Sequence, residues 1–208
     1  MTEPTTDRDE QSELSRQRIL DAAVKLMSAR GYDGTSIAAI VAETGLPASS
    51  IYWHFGSKEG VLLASIEREY AAVLRWMGTE HERPERARAQ FIENQRLVLR
   101  RELAEQRFPR LALMLLLDYE GAPSAVRAAL DRLIEAGRRR LTEQLRAALA
   151  DLGEGRARRA ATELADIVWA TTIGIQLSSM LSPGLWPDER VDSTFGALLA
   201  LATPPGSG

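Results

Sequence analysis

Residues 36–55 read SIAAIVAETGLPASSIYWHF. Apolar side chains recur at spacings of three and four on both sides of Gly45-Leu46-Pro47. The stretch therefore reads as two short helices joined by a tight turn, the first ending at Gly45 and the second running from Ala48 to Phe55. Two helices of about two turns with a glycine between them have the layout of a helix-turn-helix, whose second helix enters the DNA major groove. In that layout Ile37, Ile40, Leu46 and Ile51 face inward and lock the pair together. Pro47, Ala48, Ser49, Tyr52 and Trp53 face outward, where small residues let the helix approach base edges, and Tyr52 and His54 offer hydrogen bonds to phosphate oxygens. Phe55 is expected to turn back into the core. Taken without its surroundings, a short aromatic helix end is more often packing than a contact surface.

Outward from this stretch no strand pattern persists, and helical periodicity runs almost from end to end. Glycine and proline divide the chain into about nine helices, an all-α fold. The first carries Ile19, Leu20, Ala23, Val24 and Met27 on one face and ends at Gly31. The second starts after Thr35, read as its N-cap. The later ones are expected at 58–79, 85–105, 109–118, 124–152, 156–181 and 188–202. Residues 1–12 and 203–208 lack apolar content and read as disordered tails.

At 208 residues, 45% hydrophobic and 26% charged, the composition is that of an ordinary globular protein. The absence of cysteine excludes disulfides, thiol chemistry and cysteine-based zinc sites, and makes a cytoplasmic location the expectation. Formal net charge is −3, and acidic residues outnumber basic ones even in the first sixty positions. Bulk electrostatics thus lends no support to nucleic-acid binding, which has to rest on the local motif. The opening MTEPTTDRDEQS has neither the basic start nor the apolar run of a signal peptide. No stretch is expected to reach the length of a membrane span; the nearest, LADIVWATTIGIQLSSML (Leu164–Leu181), is broken by Asp166, Gln176 and several hydroxyls and reads as a buried or partner-facing helix. Catalysis is not expected. The two histidines, His54 and His81, lack a glutamate three residues earlier, and no Gly-rich phosphate loop is present. No cofactor or metal is expected.

From Arg18 to Ile66 the chain reads RILDAAVKLMSARGYDGTSIAAIVAETGLPASSIYWHFGSKEGVLLASI. With Ile19-Leu20, Ala22-Ala23, Gly31-Tyr32, Thr35, Ile40, Gly45, Tyr52, His54, Phe55, Lys58 and Leu62-Leu63 at these spacings, it closely resembles the N-terminal domain of the TetR (tetracycline repressor) family of bacterial transcriptional regulators. Val41 and Thr44 stand where that family usually has alanine, Pro47 where serine is common and Ser49 where glycine is common, so no relative's DNA sequence is carried over. The resemblance implies a three-helix DNA-binding head over residues 13–57, then a larger helical ligand-binding and dimerisation domain over 58–202. It implies DNA contacts from Thr35, Ser36, Pro47, Ala48, Ser49, Tyr52, Trp53, His54 and Lys58, with Thr35 capping the second helix at the backbone and Tyr52, His54 and Lys58 holding phosphates. Lys58 also follows Ser57, the expected N-cap of the fourth helix, where free N–H groups and the helix dipole favour an anion.

The eighth helix is apolar on more than one face, and the ninth carries its own apolar set, which makes self-association the natural cover. The resemblance implies the same, a homodimer through the last two helices, with Ile167, Leu177, Phe195, Leu198 and Leu199 as interface candidates. Polar or adaptable groups inside apolar stretches, namely Met77, Gln95, Met114, Tyr119, Trp169, Thr172 and Gln176, are candidates for a ligand cavity. Arg110–Tyr119, apolar almost all round, is expected to be enclosed by other helices. The partners expected are double-stranded DNA bearing an inverted repeat and an apolar or aromatic small molecule whose charge is left open, with no membrane. A DNA-bound structural or interaction protein without a small-molecule ligand stands as the alternative.

Overall fold

The computed structural model describes residues 7–76, 84–105 and 107–202, and among these every regular element is helical. In chain order these are α1 (Asp7–Arg30), α2 (Ile37–Thr44), α3 (Ala48–Phe55), α4 (Lys58–Trp76), α5 (Pro84–Glu105), α6 (Arg107–Leu117), α7 (Ser124–Ala148), a 3₁₀ turn (Ala150–Leu152), α8 (Glu154–Leu181) and α9 (Asp188–Leu201). Helix α1 begins inside the stretch expected to be a disordered tail. Asp9 and Glu10 lie in its first turn, where the helix dipole favours negative charge, and no glycine or proline interrupts the helix before Gly31. Helix α6 starts two residues before the expected Pro109. A proline in the first turn lacks only an N–H that would have had no helical partner.

The chain divides into two compact units, one of residues up to Tyr70 with Arg107–Leu130, the other of Ala71–Gln106 with Asp131 onward. In the first, α1 packs against α2, α3 and α6. Its core is Ile19, Leu20, Ala23 and Met27 of α1, Ile40 of α2, Ile51 of α3, Val61, Leu62 and Ile66 of α4, and Leu111 of α6, all essentially out of water. Helix α6 is not enclosed as expected. Leu111 and Leu115 are buried, but Leu117 is 88% exposed, since one neighbouring helix covers one side of a short helix and leaves the rest wet.

The α2–α3 turn owes its shape to two residues. Gly45 sits at φ 68°, a left-handed conformation that costs glycine little, with its N–H donated to Val41 O at 2.8 Å. Thr44 donates its hydroxyl to Ile40 O at 2.8 Å and accepts from Leu46 N at 3.2 Å. Threonine in place of the family's alanine thus ties the end of α2 to the turn.

In the second unit α5 packs against α8 and α9. Phe91, Leu99, Leu141, Leu145, Val168, Val191, Phe195 and Leu199 form its core, and Phe91 meets Phe195 edge to face with ring centroids 6.2 Å apart. Arg88 joins α5 to the end of α7 through Ala148 O and Asp151, and Arg96 and Arg100 join α5 to α9 through Asp192 and Asp188. One expectation changes here. By length and hydropathy α8 is sufficient to cross a membrane. Ala157, Ala161, Leu164, Ala165, Val168 and Ile175 nevertheless pack one side of it into this unit, as in the core helix of a folded domain.

Candidate nucleic-acid interface

Helix α3 is held from below and open above. Ile51 is fully buried, whereas Pro47, Ala48 and Ser49 are exposed, Tyr52 is 52% exposed and Trp53 74%. Trp53 stacks edge-on against His54 at 4.5 Å, so the outer side of the helix is a run of small residues followed by an aromatic shelf. Pro47, the N-cap, provides no side-chain hydrogen bond, which leaves the leading amides of α3 available to an outside acceptor. Burial, with the Arg16 guanidinium adding to it and Glu13 opposing, holds His54 below its usual range. An imidazole lowered in this way is neutral near pH 7 and offers hydrogen-bonding nitrogens in place of a charge.

Two expected roles change, those of Thr35 and Phe55. Thr35 is fully buried and donates its hydroxyl to Gly31 O at 2.9 Å, so it braces the α1–α2 loop from inside. The cap of α2 is Ser36, extended at φ −103°, ψ 160°, whose Oγ accepts from Ala39 N at 3.1 Å. Ser36 is exposed at the start of α2, which keeps it among the candidates. Phe55 is only half-buried, with the Arg16 guanidinium 5.7 Å from its ring centroid. Ser57 acts as anticipated and accepts from Gly60 N at 3.0 Å. Lys58, the first residue of α4, folds back onto the α1–α2 loop: its Nζ donates to Tyr32 O at 3.0 Å and lies 4.0 Å from the centre of the Tyr32 ring. Tyr32 gave no sign of this in the sequence beyond following a glycine.

The cavity candidates fall in both units. Met77 lies outside the described residues. Met114 and Tyr119 belong to the first unit, where Met114 lines a groove of about 240 Å³ with Gly31, Tyr32 and Asp118. Gln95, Trp169, Thr172 and Gln176 belong to the second, Gln95 and Gln176 buried and the other two half-buried. Asn94, which periodicity alone did not single out, is as deeply buried as Gln95, and the Nδ2 of the one and Nε2 of the other have no hydrogen-bond partner among the described residues. Among the interface candidates, Ile167 and Leu177 are about half exposed and Leu198 is partly exposed. Phe195 and Leu199 are instead buried in their own unit's core, while Leu181 and Leu201, which were not among the candidates, are exposed.

Residues 19–65 match the model of the bacterial regulatory proteins of the tetR family. The chain is 30% identical over 131 residues to the HTH-type transcriptional repressor AcnR of Corynebacterium glutamicum, a match covering 61% of this chain and 69% of AcnR. The chain belongs to the TetR family. A second match, to the HTH-type transcriptional regulator LmrA of Bacillus subtilis, is 41% identical over 59 residues and spans 27% of this chain and 31% of LmrA. The TetR fold extends well beyond the head. A transcriptional regulator of Pseudomonas aeruginosa PAO1 superposes with a TM-score of 0.74 over 91% of each chain at 20% identity. FadR of Bacillus subtilis, solved in complex with stearoyl-CoA, superposes with a TM-score of 0.65 over 89% of this chain and 96% of its own at 16% identity.

Proposed function

We propose that this TetR-family regulator is a homodimeric repressor that binds an inverted-repeat operator through α3 and is released by an apolar small molecule bound in its C-terminal unit. The observation that carries the DNA half is the division of α3, with Ile51 sealed beneath and Pro47, Ala48, Ser49, Tyr52 and Trp53 open on one surface. Ala48 and Ser49 read base edges, while Tyr52, His54 and Lys58 engage phosphates. Affinity then falls steeply with salt despite the chain's negative charge, because counterions leave wherever phosphates are neutralised.

The dimer is supported by one stripe of α8. Ile167, Ala170, Gly174, Leu177 and Leu181 are all exposed at alternating spacings of three and four, the seam of a helix-on-helix contact. A side chain built on Gly174 would meet nothing within 4 Å, so a second copy can approach closely there. The effector is supported by Asn94 and Gln95, whose buried amide donors have no acceptor among the described residues, one that a ligand would supply. The buried polar side chains of the second unit are all uncharged among the described residues, which favours a neutral molecule carrying a carbonyl or ether oxygen. In the family a ligand is carried by at least one member of this fold, FadR with stearoyl-CoA.

The test begins with a duplex selected by the full chain from a random library. The expected result is a two-fold repeat whose half-sites sit about 34 Å apart, and base preferences that change when Ala48 or Ser49 is enlarged. A non-repeated site, or equal losses on every sequence in those variants, would overturn the reading. Trp169 fluorescence and thermal shifts against neutral apolar compounds test the effector, whose binding must weaken operator affinity to count.

A further inference from the structure

Lys58 is one of only two lysines in the chain, and its ammonium is held at two points by a single residue of another element. The Tyr32 carbonyl accepts from Nζ at 3.0 Å, and the Tyr32 ring centre lies 4.0 Å from the same atom. That carbonyl does not move freely. It also accepts from Thr35 N at 3.2 Å, closing a turn that Thr35 Oγ1 braces against Gly31 O at 2.9 Å. Gly31, at φ 77°, reverses the chain directly after α1 and so sets the ring's direction.

We propose that Tyr32 is a positioning residue for DNA binding, its carbonyl and ring together fixing the Lys58 ammonium at the start of α4, ready to meet a phosphate. The inference rests on the reading of Lys58 as a phosphate contact. A lysine has a long flexible stem and three N–H donors. One donor is used on the carbonyl and the ring attracts the charge through its face, which leaves donors for an oxygen from solvent or DNA. Holding the stem in advance removes ordering that would otherwise accompany binding. The tyrosine stays neutral while it does this, because burial, and then the Glu59 and Asp33 carboxylates, push its phenol up. The hydroxyl itself takes no part in the arrangement, so phenylalanine is an adequate substitute.

The experiment measures binding of a library-selected duplex across a salt series for the full chain and four variants: Tyr32→Phe, Tyr32→Leu, Lys58→Ala and Tyr32→Leu/Lys58→Ala. Tyr32→Phe is expected to bind like wild type. Tyr32→Leu is expected to bind about 2- to 5-fold more weakly with the salt slope retained. Lys58→Ala is expected to lower that slope by about one, and Tyr32→Leu is expected to add nothing in the Lys58→Ala background. Equal losses in both backgrounds would overturn the role of Tyr32 alone, since the ring would then act through the fold. A Lys58→Ala slope equal to wild type would overturn the phosphate reading and this inference with it. Lysine-selective NMR provides a measurement on unmutated protein: the Lys58 ε-protons are expected upfield of those of Lys25 under the ring current, and unshifted Lys58 protons would overturn the contact whether or not the leucine variant folds.

Discussion

Arg18 reaches from α1 to the far end of α2 and donates Nη2 to Thr44 O at 2.6 Å. That carbonyl is one of those that a helix leaves without a partner at its C-terminus, and a cation placed there also meets the negative end of the helix dipole. The bond therefore sets α2 on α1 at the point where the chain enters the turn to α3. Arg18→Leu is expected to destabilise the protein by about 1 kcal/mol in denaturant titration and to weaken operator binding, because the turn loosens. Unchanged stability and affinity together would show that the bond orders nothing.

His54 makes a pH prediction of definite sign. Its folded value lies below the ordinary one of about 6.5. As pH falls below that value the unfolded chain takes up the proton first, and folding stability declines until the folded imidazole is charged as well. On DNA the sign reverses, since a nearby phosphate favours the imidazolium. Operator affinity of wild type, relative to His54→Gln, is expected to rise on acidification below about pH 6.5. Parallel pH profiles for the two proteins in duplex titrations would show that His54 stays away from phosphate.

Leu177 and Phe195 were candidates for the same interface and should now behave differently. Leu177→Glu places a carboxylate in the exposed seam of α8 and is expected to weaken the dimer roughly 10-fold or more with little change in monomer stability. Phe195→Ala empties a site that is 0% exposed and is expected to cost about 3–5 kcal/mol. Sedimentation velocity and thermal unfolding separate the two. A Leu177→Glu protein that stays dimeric at micromolar concentration would place the interface elsewhere.

Gln95→Leu is expected to stabilise the ligand-free protein by up to about 1 kcal/mol, because it removes a buried donor without an acceptor and keeps most of the volume. The same change is expected to weaken any effector that hydrogen-bonds there. If unfolding shows a loss of stability instead, the amide has a partner in solution and Gln95 is an ordinary core residue.

Helix number, helix type and the two-helix head were legible because glycine and proline punctuate the chain and three- and four-residue spacings persist between them. What periodicity leaves undecided is which neighbour covers an apolar face. Phe195 and Leu201 both lie on the apolar side of the pattern, yet Phe91 packs on the first while the second is 76% exposed. The same holds in α6, where Leu115 and Leu117 look alike until α1 is seen to lie on one side only. Thr35 and Ser36 are adjacent hydroxyl residues, and backbone dihedrals decide which of them caps α2. The motif drew attention to Lys58, but its hold on Tyr32 was not legible, because the two are 26 positions apart and meet through a loop whose path depends on the φ of Gly31.

The packing of α6 against α1 bears on how such a regulator can be engineered. Residues 7–57 contain all three helices of the head, but α1 meets α6 more extensively than it meets α2 or α3, and α6 lies fifty positions further along the chain. A head cut out at residue 57 would leave the α6 side of α1 bare and apolar. The DNA-reading part of this protein is therefore not a cassette. A chimaera that transplants its operator specificity onto a foreign sensor has to bring Leu111 and Leu115 along, or provide a recipient helix shaped to take their place.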